Sequence, residues 1–192
     1  MNKLTRDDLL TLEAYARERP ALRGEVIAHK KARTIHLGEH LSVVFEDRRS
    51  VQYQIQEMLR IERIFEPAGI QDELDAYNPL IPDGNNLKAT LLVQYDDADQ
   101  RARELQKLRG LEDHIELQVG ADRVTAIADE DMPRSNEQKT SAVHFLRFEL
   151  SPAMLAAWRS DAAVSLRSTH PAHAIEAALS TEQRHALAAD FR

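Results

Sequence analysis

The sequence predicts an α+β fold in which helices flank a mainly antiparallel sheet. Several short segments alternate apolar and polar residues and follow one another through tight turns, which is the pattern of β-hairpins. Other segments repeat apolar residues at helical spacing and begin with Thr, Ser or Pro. Strand runs joined by short turns favour antiparallel pairing. We therefore expect one α+β domain over residues 1–192, with an N-terminal helical segment, 1–32, packed on it.

The N-terminal segment is predicted to be a pair of helices. Thr5 precedes two carboxylates, Asp7 and Asp8, which suit the first turn of a helix because they complement its dipole. Apolar residues then recur at helical spacing until Pro20. A second helix is expected to begin at Pro20, since proline is favoured at the first helical position, and to end near Lys31.

The rest of the chain alternates between predicted strands and helices. Residues 33–47 alternate around Gly38 and are predicted to form a hairpin. The strongest helical pattern covers residues 51–66, whereas 78–84 is predicted to be irregular because two prolines and an Asp-Gly pair interrupt it. The other predicted elements are strands at 89–95, 115–119, 124–128, 143–150 and 163–166, and helices at 71–77, 97–108, after Ser151, and at 181–189.

The composition excludes several classes of function. The formal net charge is −7 and no dense block of Lys and Arg is present, so neither nucleic acid nor an anionic membrane is an expected partner. Cysteine is absent, which excludes thiol catalysis, disulfides and thiolate metal sites. No apolar run is long enough to cross a bilayer and no signal-peptide core is visible, so we expect a cytoplasmic protein.

Glu62 and Gln54 interrupt the apolar face of the helix predicted at 51–66. On a helical wheel, Glu62 lies between Val51 and Ile55, and Gln54 lies beside Ile61. A carboxylate among aliphatic side chains must protonate, pair with a cation or line a polar cavity. We expect Glu62 to be largely buried and paired, either as a structural ion pair or as a site carboxylate.

A second break lies in the strand predicted at 143–150. His144 shares a face with apolar residues, so it is either a hydrogen-bonded core histidine or an acid–base group or metal ligand. Arg147 lies on the opposite face, and only a bulge or twist would let both contribute to one pocket. We expect one such pocket, with Glu62, His144 and Arg147 as catalytic candidates. Candidate ligand-binding residues are Gln54, Lys88, Asn78 and Asp83.

Metal binding is not expected, although one weak candidate exists. His170 and His173 are closely spaced and could join His144 if the strand near residue 166 lay beside the strand at 143–150. No diagnostic metal-binding spacing is present, and we expect no cofactor. The acidic run at 129–131 could hold a divalent cation but is interpreted as a solvated run of charges.

Five stretches together carry a resemblance to a known family: Val26–Lys31, Tyr53–Met58, Leu74–Gly84, Asn86–Thr90 and Lys139–Phe148. In this order they resemble a bacterial family catalogued as domain of unknown function 3501. The resemblance covers nearly the whole chain and implies no assigned activity, cofactor or catalytic residue. Genes of this family often lie beside those for a rubrerythrin-like di-iron protein and an iron–sulfur oxidoreductase, which implies a role in redox or peroxide metabolism.

Three hypotheses of function follow. The first is an accessory or binding protein that uses the loop 78–84, with Leu80 and Ile81 near the surface, to bind a small anionic ligand or a redox protein partner. The second is a small enzyme in which Glu62 and His144 act as acid–base or metal-binding groups and Arg147 or Lys88 holds an anion. The third is a homo-oligomeric scaffold.

Overall fold

Two antiparallel sheets face each other across a shared apolar core in the computed structural model, which describes residues 2–131, 133–136 and 138–192. This confirms the α+β fold class. The strands are β1 Thr34–His36, β2 Leu41–Glu46, β3 Asn86–Val93, β4 Ile115–Val119, β5 Asp122–Thr125, β6 Ile127–Ala128, β7 Val143–Glu149, β8 Val164–His170 and β9 His173–Ala178. The α-helices are α1 Leu12–Lys31, α2 Arg48–Glu62, α3 Pro67–Tyr77, α4 Ala98–Lys107, α5 Pro152–Arg159 and α6 Thr181–Ala188.

Five strands form one sheet in the order β1-β2-β3-β7-β6, and four form the other in the order β5-β4-β8-β9. Because side chains alternate along a strand, Phe45, Leu91 and Phe148 of the first sheet point into the core and are fully buried. Leu117 and Leu166 of the second sheet belong to the same core cluster. The two sheets therefore bury their inner faces against each other.

Helices α1, α2 and α3 form a layer with a second apolar cluster. The cluster is made by residues that recur on one side of α2 together with residues of α3 and the segments beside it: Leu4, Val51, Ile55, Leu59, Leu74 and Ile81. The outward-facing residues of β2, β3 and β7 lie on the side of the five-stranded sheet that faces this layer. A groove separates the helical layer from that sheet face.

The predicted helix boundary at Pro20 is wrong, because α1 runs through it as one helix. Proline removes one helical hydrogen bond, that to the carbonyl of Ala16. Ala16 and Pro20 are both exposed, so water can bond the carbonyl that is left. Tyr15 and Val26 are buried on either side of the proline and hold both halves of the helix against the fold.

Helix α2 begins and ends earlier than predicted. Its first residue is Arg48 because Asp47 caps the helix, accepting a hydrogen bond from the Ser50 amide at 2.8 Å while its own amide donates to the Ser50 hydroxyl at 2.9 Å. Arg63 adopts a left-handed conformation with φ of 55° and ends the helix. Helix α3 then begins at Pro67, before the predicted start at 71.

The second sheet contains a strand that the sequence did not predict. Strand β9 pairs with β8 along its length, with His170 opposite His173 at the turn. The pattern of β9 is weak because alanines occupy much of this edge strand, and alternate residues are exposed. Strand β8 itself extends to His170, beyond the predicted end at 166.

The loop 78–84 is anchored by both ends of the described chain. The Asn78 side chain accepts a hydrogen bond from the Leu4 amide at 2.7 Å and donates to the Leu4 carbonyl at 2.9 Å. The Arg192 amide donates to the Gly84 carbonyl at 3.0 Å. Gly84 has a φ of 108°, and a Cβ there would lie 2.8 Å from the Arg192 side chain. Asn78–Leu80 form a short 3-10 helix, so the prediction of irregular structure holds only for the residues that follow it, and the whole loop is held in place.

A half-buried ion-pair network joins α1 to α2. The Tyr15 hydroxyl donates to Glu57 Oε1 at 2.7 Å, and Arg19 donates to both carboxylate oxygens of Glu57 at 2.7 and 2.9 Å. The hydrogen bonds from Arg19, together with those from Tyr15 and Arg60, lower the pKa of Glu57 from 4.5 to about 2.

We expect Glu57 to make the stability of the protein depend on pH in the acid range. Since its folded-state pKa is depressed, its contribution is present above the unfolded-state value of 4.5 and is lost as the pH falls towards about 2. Urea unfolding at about pH 6 and about pH 3 measures how much the free energy of unfolding falls on acidification. This fall should be smaller in Glu57→Gln than in the wild type. Glu18→Gln, an exposed change on α1, should keep the wild-type loss. Equal losses in all three proteins would contradict this.

No α-helix in residues 2–131, 133–136 and 138–192 has both the length and the hydropathy needed to cross a membrane.

Candidate functional site

The groove contains a cavity of about 680 Å³. Its walls come from α2, α3, the loop 78–84, the strands β3, β7 and β6, and the segment that follows β6. The larger apolar lining residues are Met58, Tyr77, Leu80, Ile127, Phe145 and Leu146. The charged lining residues are Glu73, Asp83, Lys88, Glu130, Asp131, Arg134, Arg147 and Glu149. A cavity of this size, with apolar walls and a few convergent polar groups, has the properties of a small-molecule site.

A second cavity of about 410 Å³ adjoins the first. Tyr77, Leu80 and Phe145 line both cavities, so these three side chains separate two parts of one groove. Gln54 of α2 lines the second cavity, together with the outward-facing Glu46 and Thr90 of the sheet. The polar residue predicted on the apolar face of α2 therefore faces the groove.

The sheet register places Lys88 directly beside Arg147. The Lys88 ammonium lies 2.8 Å from Asp83 and donates to the Pro79 carbonyl at 2.8 Å and the Ile81 carbonyl at 3.1 Å. These bonds hold the loop 78–84 at the edge of the cavity. Burial opposes ionisation of Asp83, but the hydrogen bond from Lys88 and its other partners outweigh burial and hold the pKa of this carboxyl well below its usual range.

The two arginines of the cavity are bound by carboxylates. Arg147 donates through Nε and Nη2 to the two oxygens of Glu130 at 2.7 and 2.6 Å, and its Nη1 donates to Glu149. The hydrogen bond to Glu130 is the main reason why the pKa of Arg147 is raised. Arg134 donates to both oxygens of Asp131 at 2.6 Å and lies over the Phe145 ring, 4.5 Å from its centre. Such bidentate pairs fix the side chains of the wall.

Glu73 differs from the other charged residues of the cavity. No hydrogen bond or ion pair of its side chain is found within the described ranges, and the residue is half-buried. Burial raises the pKa of Glu73, and repulsion by Glu62 and Asp72 adds to this effect. The cavity wall thus includes a carboxylate whose charge is not neutralised by the protein residues described.

His144 lies behind the cavity wall in a closed polar network. Its side chain is fully buried, as its position on the apolar face of β7 suggested. Nδ1 lies 2.6 Å from Asp129 Oδ2, and Nε2 lies 2.8 Å from the Thr140 hydroxyl and 3.1 Å from the Ser141 carbonyl. The Thr140 hydroxyl donates to Glu112 at 2.9 Å and therefore accepts from Nε2. Both ring nitrogens are therefore engaged by groups of the protein.

The prediction that Glu62 is buried and paired is wrong. The residue is exposed, because α2 ends at Glu62 and its last turn extends past the packed part of the helix. Ile61 and Phe65, which the wheel placed on the same apolar face, are 56% and 68% exposed. The carboxylate of α2 that does pair with a cation is Glu57.

The structure brings some predicted site residues together and separates others. Lys88, Asp83 and Arg147 line the first cavity. Glu62 and His144 line neither cavity, so the expected convergence of Glu62, His144 and Arg147 on one pocket is wrong. His144 and Arg147 point to opposite faces of β7, which contains no bulge that would reverse one of them.

The structure bears on two predictions about the loop 78–84 and contradicts the one that places Ile81 near the surface. Asn78, a predicted ligand-binding residue, is engaged with Leu4 and does not line either cavity. Ile81 is fully buried in the cluster of the helical layer, because the loop turns it inward. Leu80, by contrast, lines both cavities.

The three histidines considered for a metal do not meet. Strand β8 pairs with β4 and β9 in the second sheet, so it does not lie beside β7. His170 Nε2 lies 3.2 Å from the Arg109 carbonyl, and His173 Nε2 lies 2.9 Å from the Leu37 carbonyl. In the part of the chain that the structure describes, one group of potential ligand atoms lies within 4.8 Å of one another, that of Glu112, Asp129 and His144.

We expect the purified protein to carry no stoichiometric transition metal. A metal ion would need a lone pair on a nitrogen of His144, but both nitrogens face acceptors at hydrogen-bonding distance. Elemental analysis after expression with added iron, zinc and manganese checks this. Near-unit occupancy that is lost in His144→Ala would contradict the expectation.

Sequence reasoning missed Glu73 and misjudged Asp129. Glu73 lies three residues after Ile70 and four before Tyr77, the spacing of one helix face, which is a signal that could have found it. The acidic run at 129–131 was interpreted as solvated, but the Asp129 carboxylate is 6% exposed and bonds His144. Its left-handed φ of 48° turns it inward at the end of β6, and no pattern in the sequence signals that turn.

The fold and the groove together define an α+β protein with a ligand-sized cavity between a helical layer and an antiparallel sheet. The model of a family described as "Protein of unknown function (DUF3501)" matches residues 3–191, and the chain belongs to this family. This confirms the resemblance found in the sequence.

The fold is also similar to that of a solved relative. The crystal structure of a protein of unknown function from Burkholderia pseudomallei K96243 is 50% identical and covers 100% of each chain, with a TM-score of 0.95. A comparison with curated proteins found no match. The site residues must therefore be interpreted from their own geometry.

Proposed function

We propose that this protein is a binding protein whose small-molecule ligand lies in the groove between the helical layer and the five-stranded sheet. The observation that carries the proposal is the cavity of about 680 Å³ with mixed apolar and charged walls. Cavities of roughly 300–1,000 Å³ are typical of small-molecule sites.

The walls of this cavity are held by interactions that do not need a ligand. Lys88 holds the loop 78–84 through two carbonyls, and Arg147 is held by two carboxylates. A site that is ordered before binding loses little conformational entropy when the ligand arrives. This supports a binding role for the groove.

The anionic ligand expected from the sequence has less support than a ligand without negative charge. Lys88, Arg134 and Arg147 each contact a carboxylate already, so an anion would have to compete with Asp83, Asp131 or Glu130. A redox protein partner, a homo-oligomer and a cytoplasmic location stay predictions, as does the link to peroxide metabolism.

The enzyme alternative has little support from the site. Glu62 is exposed and does not line the cavity, and His144 is fully buried with both nitrogens bonded. A general acid or base must come within hydrogen-bonding reach of its substrate. Neither residue meets that requirement.

We expect a small aromatic probe to bind in the groove. Phenethylamine, phenethyl alcohol and hydrocinnamate share one apolar body and differ in charge, so at least one should shift the amide NMR signals of Tyr77, Leu80 and Phe145. Ala76→Trp should abolish the shifts, because Ala76 is exposed and lines the cavity and the indole would fill it.

Ala68→Trp is the matched control for this experiment. Ala68 is exposed on the same helix and lines neither cavity, so the variant should bind as the wild type does. The proposal fails if none of the three probes shifts the signals of the groove. It also fails if Ala76→Trp binds the probes unchanged.

A further inference from the structure

We propose that the ligand of the groove is an organic cation, an amine with an apolar body, and that Glu73 is its counter-ion. This inference rests on the proposed binding function of the groove. It goes beyond that function by naming the chemical class of the ligand and the residue that selects it.

The charges of the cavity favour a cation. Five carboxylates and three cationic side chains line it, which gives a formal charge of −2. Each cation is paired with its own carboxylate, whereas the Glu73 side chain has no partner in the ranges described. An incoming ammonium group would neutralise Glu73 without breaking any existing pair, but an incoming anion would have to displace one.

Neighbouring carboxylates strengthen this preference. Glu62, at the exposed end of α2, and Asp72, on α3, both act on Glu73 by repulsion. Half-burial also raises the free energy of the ionised Glu73 carboxylate, because it removes water from that group. A bound cation would relieve both effects, since it replaces the lost solvation and offsets the neighbouring negative charges.

The rest of the cavity fits the apolar body of such an amine. Tyr77 lies one turn after Glu73 on α3, so both side chains lie on the same face of that helix. Tyr77 and Leu80 line the cavity together with Met58. An alkyl or aryl group could lie against these side chains while its ammonium group reaches Glu73, and an aromatic ring also attracts a cation.

The test compares the affinities of the same three probes by calorimetry on the full chain. We expect phenethylamine to bind more tightly than phenethyl alcohol, and hydrocinnamate to bind most weakly. Glu73→Gln should weaken the affinity for phenethylamine about tenfold, which corresponds to the loss of a partly desolvated ion pair. The affinity for phenethyl alcohol should change less than about twofold. Glu73→Asp keeps the charge and should keep the preference for the amine.

Asp75→Asn is the matched control, because it removes one negative charge from an exposed residue of α3 that does not line the cavity. It should leave the affinity for the amine unchanged. Tighter binding of hydrocinnamate than of phenethylamine, with shifts in the groove, would overturn the inference and leave the proposed function standing. An amine affinity that Glu73→Gln does not change would overturn it in the same way. If no probe shifts the amide NMR signals of the groove residues, the proposed function itself fails.

Discussion

Replacing Arg33 with methionine is expected to lower the free energy of unfolding by about 3–5 kcal/mol. The Arg33 side chain is 1% exposed and pairs with the equally buried Asp190. It also donates to the carbonyls of Phe45 at 3.0 Å, Glu46 at 3.2 Å and Ala186 at 2.8 Å. Methionine is an unbranched apolar side chain without a donor, so the change would leave one carboxylate and three carbonyls without their partner.

The measurement is urea unfolding of the wild type, Arg33→Met and the control Arg23→Met, an exposed change on α1. The double variant Arg33→Met/Asp190→Leu should regain part of the stability, since it removes the stranded charge. A single-variant loss of less than about 1 kcal/mol would contradict the expected cost of leaving Asp190 without its partner.

The loss in Arg33→Met should also depend on pH. Burial raises the pKa of Asp190 from 3.8 to about 6 even though Arg33 opposes the shift. A raised carboxyl pKa stabilises the fold at low pH, and this contribution is lost as the pH rises through the folded-state value. Without Arg33 the folded-state pKa rises further, so the deficit of the variant should be smaller at about pH 5 than at about pH 7. A deficit that grows on acidification would contradict this sign.

The second large effect is expected for His144→Leu, again about 3–5 kcal/mol. The imidazole is fully buried and lies between Asp129 and Thr140, with Glu112 3.7 Å from Nε2. Leucine would leave the buried Asp129 carboxylate without its closest partner and Thr140 without a donor. Chemical unfolding checks the value.

His36→Leu serves as the control, because His36 is an exposed histidine on β1, and its change should cost little. Heteronuclear NMR of the His144 ring provides an independent measurement, since the signals of both nitrogens should report their hydrogen bonds to Asp129 and Thr140. A His144→Leu protein as stable as the wild type would show that the network contributes no net stability.

The sequence pattern predicted the fold class because its signals were local and repeated. The alternation in β2, β3 and β7 and the apolar spacing of α2 come from contacts that every residue of the element makes with the core. Strand β9 was missed because its alanines give little alternation, even though it follows β8 directly through a tight turn. The helix boundary at Pro20 failed because packing on both sides of the proline outweighs a single lost hydrogen bond.

The site was less predictable than the fold for a related reason. A helical wheel indicates which residues share a face but not how much of that face is covered by the rest of the fold. Glu62 lies in the last turn of α2, which extends past the packed part of the helix. The wheel did identify Gln54, which lines the groove. The spacing of Glu73 on the face of α3 that carries Tyr77 is visible in the sequence, but its lack of a partner among the described residues depends on tertiary structure.

The anchoring of the loop 78–84 by Leu4 and by Arg192 has a consequence for protein engineering. Both described ends of the chain lie against the same short loop, so a brief Gly/Ser connector could join them without crossing the sheets. New ends could then be opened at the exposed turn between β4 and β5, in the second sheet. Such a circular permutant would keep the loop 78–84 anchored at the edge of the groove, and fusion partners or dyes could be attached at the new ends in the second sheet.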